Sequence, residues 1–335
     1  MRIRRFRARK KWSIRSLFSG WNLKKLALLV LVLGILVFSS LVVYGAFFLP
    51  SVKQAEQLAF AESTIIYDRK ALDPTEDPNE HILYVIHGDE NREYVPLEEI
   101  SPWLKKATIA IEDDKFYHHF GFDVGGIVKA VLAQVGIGRK RGGSTITQQL
   151  VKNAFLSRER SFERKFNELI LSVKVEWSYT KDEILELSLN KIPYGNNAHG
   201  AEAAAKTFFG KSARDLTLAE SAILASMPVA PTRFSPYGSN KNLLMGYAAP
   251  DNPNCPSGWC KGRKDLVLQR MHELKMITFE EFKQAVNESK EIKFTQLRTD
   301  IKAPHFVFYV RERIEEKYGT EFLKQGGLRI FTSLD

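Results

Sequence analysis

The sequence predicts a mainly α-helical domain with a small β element, preceded by one transmembrane helix. Three observations predict this fold class: an uncharged apolar segment near the N-terminus, short β-type runs after it, and helical periodicity from Pro102 onward. We expect five regions with different tasks. They are a basic cytoplasmic tail (1–25), a transmembrane anchor (26–49), a stalk and small β region (50–101), the main helical domain (102–290) and a C-terminal linker (291–335).

The anchor is the strongest signal in the sequence. Residues 26–49 contain no charged side chain, and a helix of this length would span roughly 36 Å at about 1.5 Å per residue, enough to cross a bilayer. The preceding tail carries ten Lys and Arg residues and no Asp or Glu, so the positive-inside rule predicts a cytoplasmic N-terminus and an exported domain. A cleaved signal peptide is the alternative, although its apolar region would be only about 7 to 15 residues long. We therefore expect a single-pass protein of the cytoplasmic (plasma) membrane.

The charge of the chain argues against a nucleic-acid-binding protein. The formal net charge is +10, and the ten cations of the tail account for all of it. The exported part is thus neutral overall, so the excess of basic residues indicates a tail that faces the membrane surface. Any anion site in the exported domain must come from local clustering of cations.

The region after the anchor contains the predicted β element. We expect a short helical stalk at 51–60 and strands at 63–67 and 81–87. The second of these strands and the run 93–96 flank a polar segment, 87–92, that is typical of a turn. The sequence therefore predicts a hairpin between these two runs.

The helix that begins after Ser161 shows the clearest helical period. Ser161 is a natural N-cap, and six apolar residues fall on one face of the helix. These residues are Phe162, Phe166, Leu169, Ile170, Val173 and Trp177. Further helices are expected at 181–190, 200–208, 217–225, 264–274 and 278–289.

Two segments nearer the C-terminus leave alternatives open. Residues 237–263 are rich in Gly, Pro and Asn, which predicts a loop, and they hold both cysteines, Cys255 and Cys260. In an exported chain these could form a small loop-closing disulfide or stay as free thiols, and nothing in their pattern indicates a metal site. Residues 326–335 alternate like a strand that needs a partner, so we expect a longer protein.

Three clusters of residues could carry chemistry. The first is Glu112-Asp113-Asp114, three carboxylates at the end of an apolar stretch. Neighbouring carboxylates and apolar residues favour the protonated form of a carboxyl group, which suits Glu112 to proton transfer as a general base. An acidic helix end that faces water is the alternative.

The second cluster runs from Arg139 to Asn153. Three successive cations lead into a glycine turn, and a helix capped by Ser144 or Thr145 follows. The free N–H groups and the dipole at such a helix start attract phosphate. A basic surface turn is the alternative, and a nucleotide-binding loop is unsupported because Ser144 stands where its lysine should be.

The third cluster lies on the helix after Ser161. Arg164 and Glu168 occupy the face opposite the apolar residues, with Lys165 at its border, so these side chains could line a cleft. The alternative is a solvated ion pair that contributes only a few tenths of a kcal/mol.

Together these clusters resemble the peptidoglycan glycosyltransferase (transglycosylase) domain of class A penicillin-binding proteins. The similarity runs in order from about Trp103 to Met271 through five motifs. In this sequence the motifs are Glu112-Asp-x-x-Phe116-x-x-His119-x-Gly121, Gly142-Gly-Ser-Thr-Ile-Thr-Gln-Gln-Leu-x-Lys152-Asn153, Arg164-Lys-x-x-Glu168, Lys181-x-x-Ile-Leu-Glu-x-x-Leu-Asn190 and Arg263-Lys-Asp-Leu-Val-Leu268. Ser188 stands where the family usually has a tyrosine, and Lys264 where a second arginine is common. The last ten residues resemble the connection to a transpeptidase domain, so we expect a truncated bifunctional protein.

The resemblance implies a lysozyme-like fold for residues 102–290 and polymerisation of lipid II, a disaccharide-peptide on a polyprenyl diphosphate, into glycan strands. It implies that Glu112 is the catalytic base, that Glu168 assists, and that the donor anomeric carbon is inverted. The residues expected to bind the substrate are Asp113, Phe116, His119, Ser144, Thr145, Gln148, Gln149, Lys152, Asn153, Arg160, Arg164, Lys165 and Asn190.

The same resemblance sets expectations for cofactors and partners. No cofactor is required, although Asp113 or Asp114 could hold a divalent cation (Mg²⁺ or Mn²⁺) on the diphosphate. The expected partners are lipid II, the growing glycan strand, membrane lipid and other cell-wall synthesis or division proteins, with no nucleic acid. Two rival functions are a membrane-anchored lytic enzyme of the same fold, which would cleave glycan strands, and a non-catalytic scaffold of the wall-building machinery.

Overall fold

The chain divides into two compact units, residues 1–49 and 50–335. The computed structural model describes positions 25, 26, 28, 29, 31–33, 36 and 40 of the first unit, all helical. In the second unit it describes 64–76, 78–86, 91–123, 125–126, 143–156, 161–237, 239–249, 252–253, 255, 258–295, 302–318 and 328–334. Most of the predicted anchor (26–49) and the whole predicted stalk (51–60) lie outside the described residues. Within the described part of the chain, no helix is long and apolar enough to cross a membrane.

Helices dominate the second unit, as the sequence predicts. In chain order they are α1 (Pro102–Glu112), α2 (Ile146–Phe155), α3 (Phe162–Ser178), α4 (Lys181–Lys191), α5 (Ala201–Phe209), α6 (Leu218–Ala225), α7 (Lys241–Met245), α8 (Arg263–Glu273), α9 (Phe279–Glu291) and α10 (Pro304–Tyr318). The strands are β1 (Thr64–Tyr67), β2 (Ile82–Ile86), β3 (Asn91–Arg92), β4 (Pro193–Gly195), β5 (Ala198–His199), β6 (Tyr247–Ala248), β7 (Trp259–Cys260) and β8 (Arg329–Phe331). The mainly helical fold class with a small β component is therefore confirmed.

Local capping signals determine where several helices begin. A threonine side chain accepts a hydrogen bond from the third helical N–H, and the Gln or Glu at that third position bonds back to the threonine N–H. Four helices begin in this way, at Thr145, Thr180, Thr217 and Thr278. Ser161 caps α3 by accepting from the N–H of Arg164 at 3.0 Å, as predicted.

The core forms around α6, whose residues are all buried. Helices α1, α8 and α9 pack against α6, and α1 also packs against α8. Helix α2 packs against α3 and α4. This arrangement brings the end of α1, the start of α2 and the start of α8 close enough to share a site.

A three-stranded sheet with the order β2-β1-β8 forms a smaller layer. Strand β1 pairs antiparallel with β2 and parallel with β8, with Ile65 opposite Arg329. Ile66, Leu83 and Val307 of α10 form its buried core. The partner of the C-terminal strand is therefore β1 of the same chain, a pairing that the sequence alone does not reveal.

The predicted hairpin across 87–92 is wrong. Strand β3 pairs in parallel with β5, and β5 pairs antiparallel with β4, so β3 belongs to a second sheet rather than to β2. The N–H of Asn91 donates to the carbonyl of Asn197 at 2.9 Å. The residues after the turn thus find their hydrogen-bond partners in the helical domain.

The predicted loop 237–263 contains more structure than its composition indicates. It includes the short helix α7 and the antiparallel pair β6–β7. Cys255 and Cys260 are joined by a disulfide, which resolves the alternative that the sequence leaves open.

Candidate active site

Glu112 is the last residue of α1 and lies against the first turns of α2. Gln149 Nε2 donates to Glu112 Oε2 at 2.6 Å. The other oxygen, Oε1, is buried and has no hydrogen-bond partner among the described residues. A buried carboxylate oxygen without a donor is costly unless it has a task, so Oε1 is a candidate acceptor for a substrate proton.

Two residues outside the predicted site share the environment of Glu112. Tyr194 of β4 is fully buried, and burial together with the charge of Glu112 raises the pKa of its hydroxyl. Burial lowers the pKa of Arg263, the first residue of α8, against an opposing pull from Glu112. Tyr194 and Arg263 are far from Glu112 along the chain, so the sequence alone does not show that they interact with it. Arg263 does belong to the fifth motif of the resemblance.

Asp113 fixes the geometry around Glu112. Its Oδ2 accepts from the N–H of Ile146 at 3.0 Å and lies 2.8 Å from Nε2 of His119. The carboxylate therefore joins the end of α1 to the start of α2, where it also complements the helix dipole. Asp113 and His119 are both predicted to bind substrate, and in this structure their side chains contact each other.

Asp114, the second predicted metal ligand, forms an ion pair with Arg270 of α8. Among the residues that the structure describes, no group of three His, Cys, Asp or Glu side chains is placed to hold a metal ion.

A second charged cluster lies on α3. Glu168 is only 3% exposed and forms an ion pair with Lys165, while Arg164 Nη1 lies 3.6 Å from Glu168 Oε2. Lys165 Nζ also donates to Ser144 Oγ at 3.3 Å. Arg164 Nε is buried and has no acceptor among the described residues. The cluster thus combines two cations, a hydroxyl and an unused donor, which suits an anionic ligand.

The start of α2 connects the two clusters. Ser144 contacts Lys165, and Gln149 contacts Glu112, so six consecutive positions of the chain reach from one cluster to the other. Lys152 is exposed and Asn153 is half-buried further along α2. Arg160, also predicted to bind substrate, lies outside the described residues.

Four residues predicted to bind substrate have well-defined contacts within the protein. Asn190 is fully buried, and its side chain bonds to both the N–H and the carbonyl of Val95. Gln148 and Thr145 form the capping box of α2. Phe116 is 1% exposed, with the ammonium group of Lys181 above its ring. In this structure the four side chains make contacts within the protein, and their role in substrate binding stays a prediction.

The apolar face of α3 is not the buried face. Phe166 is 44% exposed and Trp177 is 64% exposed, whereas Leu171 and Val175 are buried beside Glu168. The ring of Phe120 lies 6.2 Å from that of Trp177. Arg164 and Glu168 therefore face the domain interior, and an aromatic surface formed by Phe120, Phe166 and Trp177 is left outside.

A buried glutamate oxygen without a donor among the described residues, joined through the start of α2 to a cationic cluster, suits one class of site: acid–base chemistry on an anionic substrate. Comparisons with known proteins agree with this class. A family model described as Transglycosylase matches residues 79–272. The chain belongs to the transglycosylase family.

Individual relatives give the same result. The chain is 38% identical over 250 residues to "Penicillin-binding protein 1A" of Neisseria lactamica, covering 74% of this chain and 29% of the relative. It is 36% identical over 288 residues to "Penicillin-binding protein 1A" of Aquifex aeolicus, covering 86% of this chain and 36% of the relative. The chain thus spans about a third of the length of these curated relatives. A crystal structure of Penicillin-Binding Protein 1A from Haemophilus influenzae matches 81% of this chain and 26% of that one at 23% identity, with a TM-score of 0.42.

Proposed function

We propose that this protein is a peptidoglycan glycosyltransferase that polymerises lipid II into glycan strands with release of the polyprenyl diphosphate. The observation that carries the proposal is the environment of Glu112, in which one oxygen is fixed by Gln149 and the other is buried without a donor. Membership of the transglycosylase family supports the reaction class. We also infer that the helical domain has a lysozyme-like fold.

In the proposed reaction Glu112 is the general base. Its Oε1 removes the proton from the 4-hydroxyl of the acceptor sugar while that oxygen attacks the anomeric carbon of the donor. The bond from this carbon to the diphosphate oxygen breaks, and attack from the opposite side inverts the carbon. The proton ends on Glu112, and the bonding electrons leave with the diphosphate.

The cluster on α3 would stabilise the leaving diphosphate. Lys165 Nζ, the guanidinium group of Arg164 and the hydroxyl of Ser144 lie together near the start of α2. Cations placed where negative charge develops commonly contribute several kcal/mol to a transition state. Glu168 would orient these two cations, since it contacts both. A diphosphate leaves without protonation, so a second carboxylic acid is not needed.

The aromatic surface on α3 supports a membrane location. Phe120, Phe166 and Trp177 are partly exposed, Phe166 and Trp177 lie on one face of α3, and the ring of Phe120 lies near that of Trp177. Exposed aromatic side chains, Trp in particular, favour the membrane interface. A polyprenyl substrate is embedded in that interface. We therefore propose a single-pass protein of the cytoplasmic membrane, with its N-terminus inside and the catalytic domain outside.

The proposed partners follow from this location and from the relatives. Lipid II and the growing glycan strand would be the substrates, and membrane lipid would contact the aromatic surface. Other proteins of cell-wall synthesis or division would bind elsewhere on the molecule.

Incubation with two substrates tests the proposal. The purified full chain is given lipid II in one reaction and preformed glycan strands in another, and the products are separated by size. We expect longer glycan from lipid II and no shortening of the strands. Cleavage of the strands without polymer from lipid II would show a lytic enzyme, and binding of lipid II without turnover would show a scaffold.

A further inference from the structure

A buried carboxylate on α3, that of Glu176, has no part in the proposed reaction. Its side chain is only 3% exposed, and its Oε1 accepts a hydrogen bond from Thr147 Oγ1 at 2.6 Å. Lys181 Nζ donates to the same oxygen at 2.7 Å. Thr147 lies in the first turn of α2, and Lys181 is the first residue of α4. One buried carboxylate therefore joins three helices.

Lys181 provides the counter-charge for Glu176. An ionised carboxylate inside a protein is strongly destabilising unless a cation and hydrogen-bond donors compensate it. The ammonium group of Lys181 also lies 4.6 Å from the ring centre of Phe116, which is buried in the segment after Glu112. Lys181 begins the fourth motif of the resemblance, to which the proposed reaction gives no task. Through these contacts the fourth motif is connected to the first and the second.

Thr147 and Gln149 project from opposite sides of α2. Two positions along an α-helix correspond to a rotation of about 200°. On one side Gln149 Nε2 donates to Glu112 Oε2 at 2.6 Å, and on the other side Thr147 donates to Glu176. The first turns of α2 are therefore held between two carboxylates, one on α1 and one on α3. Loss of the contact to Glu176 would let α2 rotate or shift, and the amide of Gln149 would move relative to Glu112.

Two further contacts hold the start of α2, and both have a different direction. The N–H of Ile146 donates to Asp113 Oδ2, and Thr145 Oγ1 donates to the carbonyl of Gly121. Both contacts join α2 to the segment that follows α1. Glu176 instead joins α2 to α3, the helix that also carries the proposed diphosphate site. It thus fixes the position of α2 relative to that site.

We propose that Glu176 is a positioning residue for the proposed base: through the first turn of α2 it holds Gln149 against Glu112. The inference rests on the proposed function, because its effect is measured on polymerisation. Glu176 contacts no reacting atom and acts only through the orientation of the base.

The expected effect is on turnover rather than on substrate binding. A displacement of about 1 Å at a catalytic group can lower a rate by about 100-fold, so a smaller shift of the amide should still be measurable. Glu176 lies eleven positions after Lys165 on α3, about 16 Å along the helix. The cations proposed to bind the diphosphate should therefore keep their places, and KM should change little.

The experiment measures kcat and KM for lipid II polymerisation by the full chain. Thr147→Val keeps the shape of the side chain but removes the hydroxyl, so kcat should fall by about tenfold while KM stays within about twofold. Thr147→Ser keeps the hydroxyl and should retain most of the turnover. Ser289→Ala is the matched control, since it removes another buried helix hydroxyl, which donates to the carbonyl of Val286 on α9. Its kcat should stay within about twofold of the wild type.

A double-mutant cycle separates positioning from general stability. Gln149→Met removes the amide that holds Glu112, and with it the path through which Thr147 would act. Adding Thr147→Val to Gln149→Met should therefore lower kcat by less than about twofold beyond Gln149→Met alone. Independent effects would instead multiply, and the double variant would lose about tenfold more.

Several results would overturn the inference. They are an unchanged kcat in Thr147→Val or in Gln149→Met, equal losses in Thr147→Val and Ser289→Ala, and multiplied losses in the double variant. Thermal unfolding measured in parallel adds another: a Thr147→Val protein that is unfolded at the assay temperature would show that the network is a general stabiliser. Wild type that makes no polymer would overturn the proposed function, whereas active wild type with an equally active Thr147→Val would overturn this inference alone.

Discussion

The two oxygens of Glu112 have different surroundings. Gln149 holds Oε2, so the plane of the carboxylate is fixed, and Oε1 is directed to where no described residue donates. A base held by one oxygen can accept a proton on the other without reorganising. The cations of the proposed site, Arg164 and Lys165, lie on a different helix, so proton transfer and charge stabilisation are separate tasks.

The charge of Lys165 should matter for catalysis. Lys165→Met removes the ammonium group that contacts both Glu168 and Ser144, and the leaving diphosphate loses one stabilising cation. We expect the rate of polymerisation to fall by about 100-fold, measured as kcat on lipid II. Lys174→Met is the matched control, because nine positions along α3 place residue 174 on the opposite side of the helix. Equal losses in the two variants would contradict this role.

At the scale of single residues, sequence reasoning found the charged groups but not all of their neighbours. Glu112, Lys165 and Glu168 belong to short local patterns, and the structure places each in a cluster. Tyr194 and Arg263 interact electrostatically with Glu112 only because tertiary packing brings their helices and strands together, which no local pattern encodes. Asn190, a polar residue of the fourth motif, is buried and links α4 to Val95, a contact that the motif alone does not reveal.

The elements were predicted well where capping is local. Ser161 predicts the start of α3 because an N-cap is a property of a few consecutive residues. The sequence did not predict which side of α3 is exposed. The helical period identifies the apolar face, but it does not show whether another part of the protein packs against that face. Phe166 and Trp177 lie on the apolar face and are exposed, while Glu168 is buried on the other.

The start of α2 depends on Thr145. Its hydroxyl donates to the carbonyl of Gly121 at 2.7 Å and accepts from the N–H of Gln148 at 3.2 Å. Thr145→Ala removes both bonds inside the core and should lower the free energy of unfolding by about 2 kcal/mol, measured by urea denaturation. Thr145→Ser keeps the hydroxyl and should lose less than half as much. If the two variants were equally stable, the hydroxyl would not be the cause.

The connection between β1 and β2 should respond to pH. His81 Nδ1 lies 3.0 Å from Asp68 Oδ2, and the hydrogen bond to Asp68 raises the pKa of His81 against the opposing effect of burial, with Glu76 adding to it. Because the pKa is raised in the folded state, protonated His81 stabilises the fold. This contribution is complete below the unfolded value of about 6.5 and is lost as the pH rises through the folded value.

The free energy of unfolding should therefore fall between pH 6 and pH 8 by more in the wild type than in His81→Asn. Urea denaturation at several pH values measures this slope. Identical slopes in the two proteins would show that His81 does not carry the pH dependence.

At the scale of the whole molecule, contacts between distant parts of the chain were the least predictable. The sheet β2-β1-β8 joins residues near the start of the second unit to residues near its end. The strand pattern of β8 is visible in the sequence, but its partner is more than 260 residues away, with Ile66 opposite Ile330. Pairing over such a separation depends on the folded domain between the strands.

The predicted anchor should affect substrate delivery more than chemistry. Removal of residues 1–49 should raise the apparent KM for lipid II in membrane vesicles more than it lowers turnover in detergent, because both substrates lie in the bilayer. The measurement compares full-length and shortened protein in the two media. Equal activity of the shortened protein on vesicles would contradict this role of the anchor.

The central claim is that Glu112 is the base for glycan polymerisation, and one substitution tests it most directly. Glu112→Gln keeps the size of the side chain but cannot accept the proton, so the rate of polymer formation from lipid II should fall by about 1,000-fold while the unfolding temperature changes little. Glu163→Gln, an exposed position in the first turn of α3, is the control and should remain active. A Glu112→Gln protein that made glycan at the wild-type rate would contradict the account.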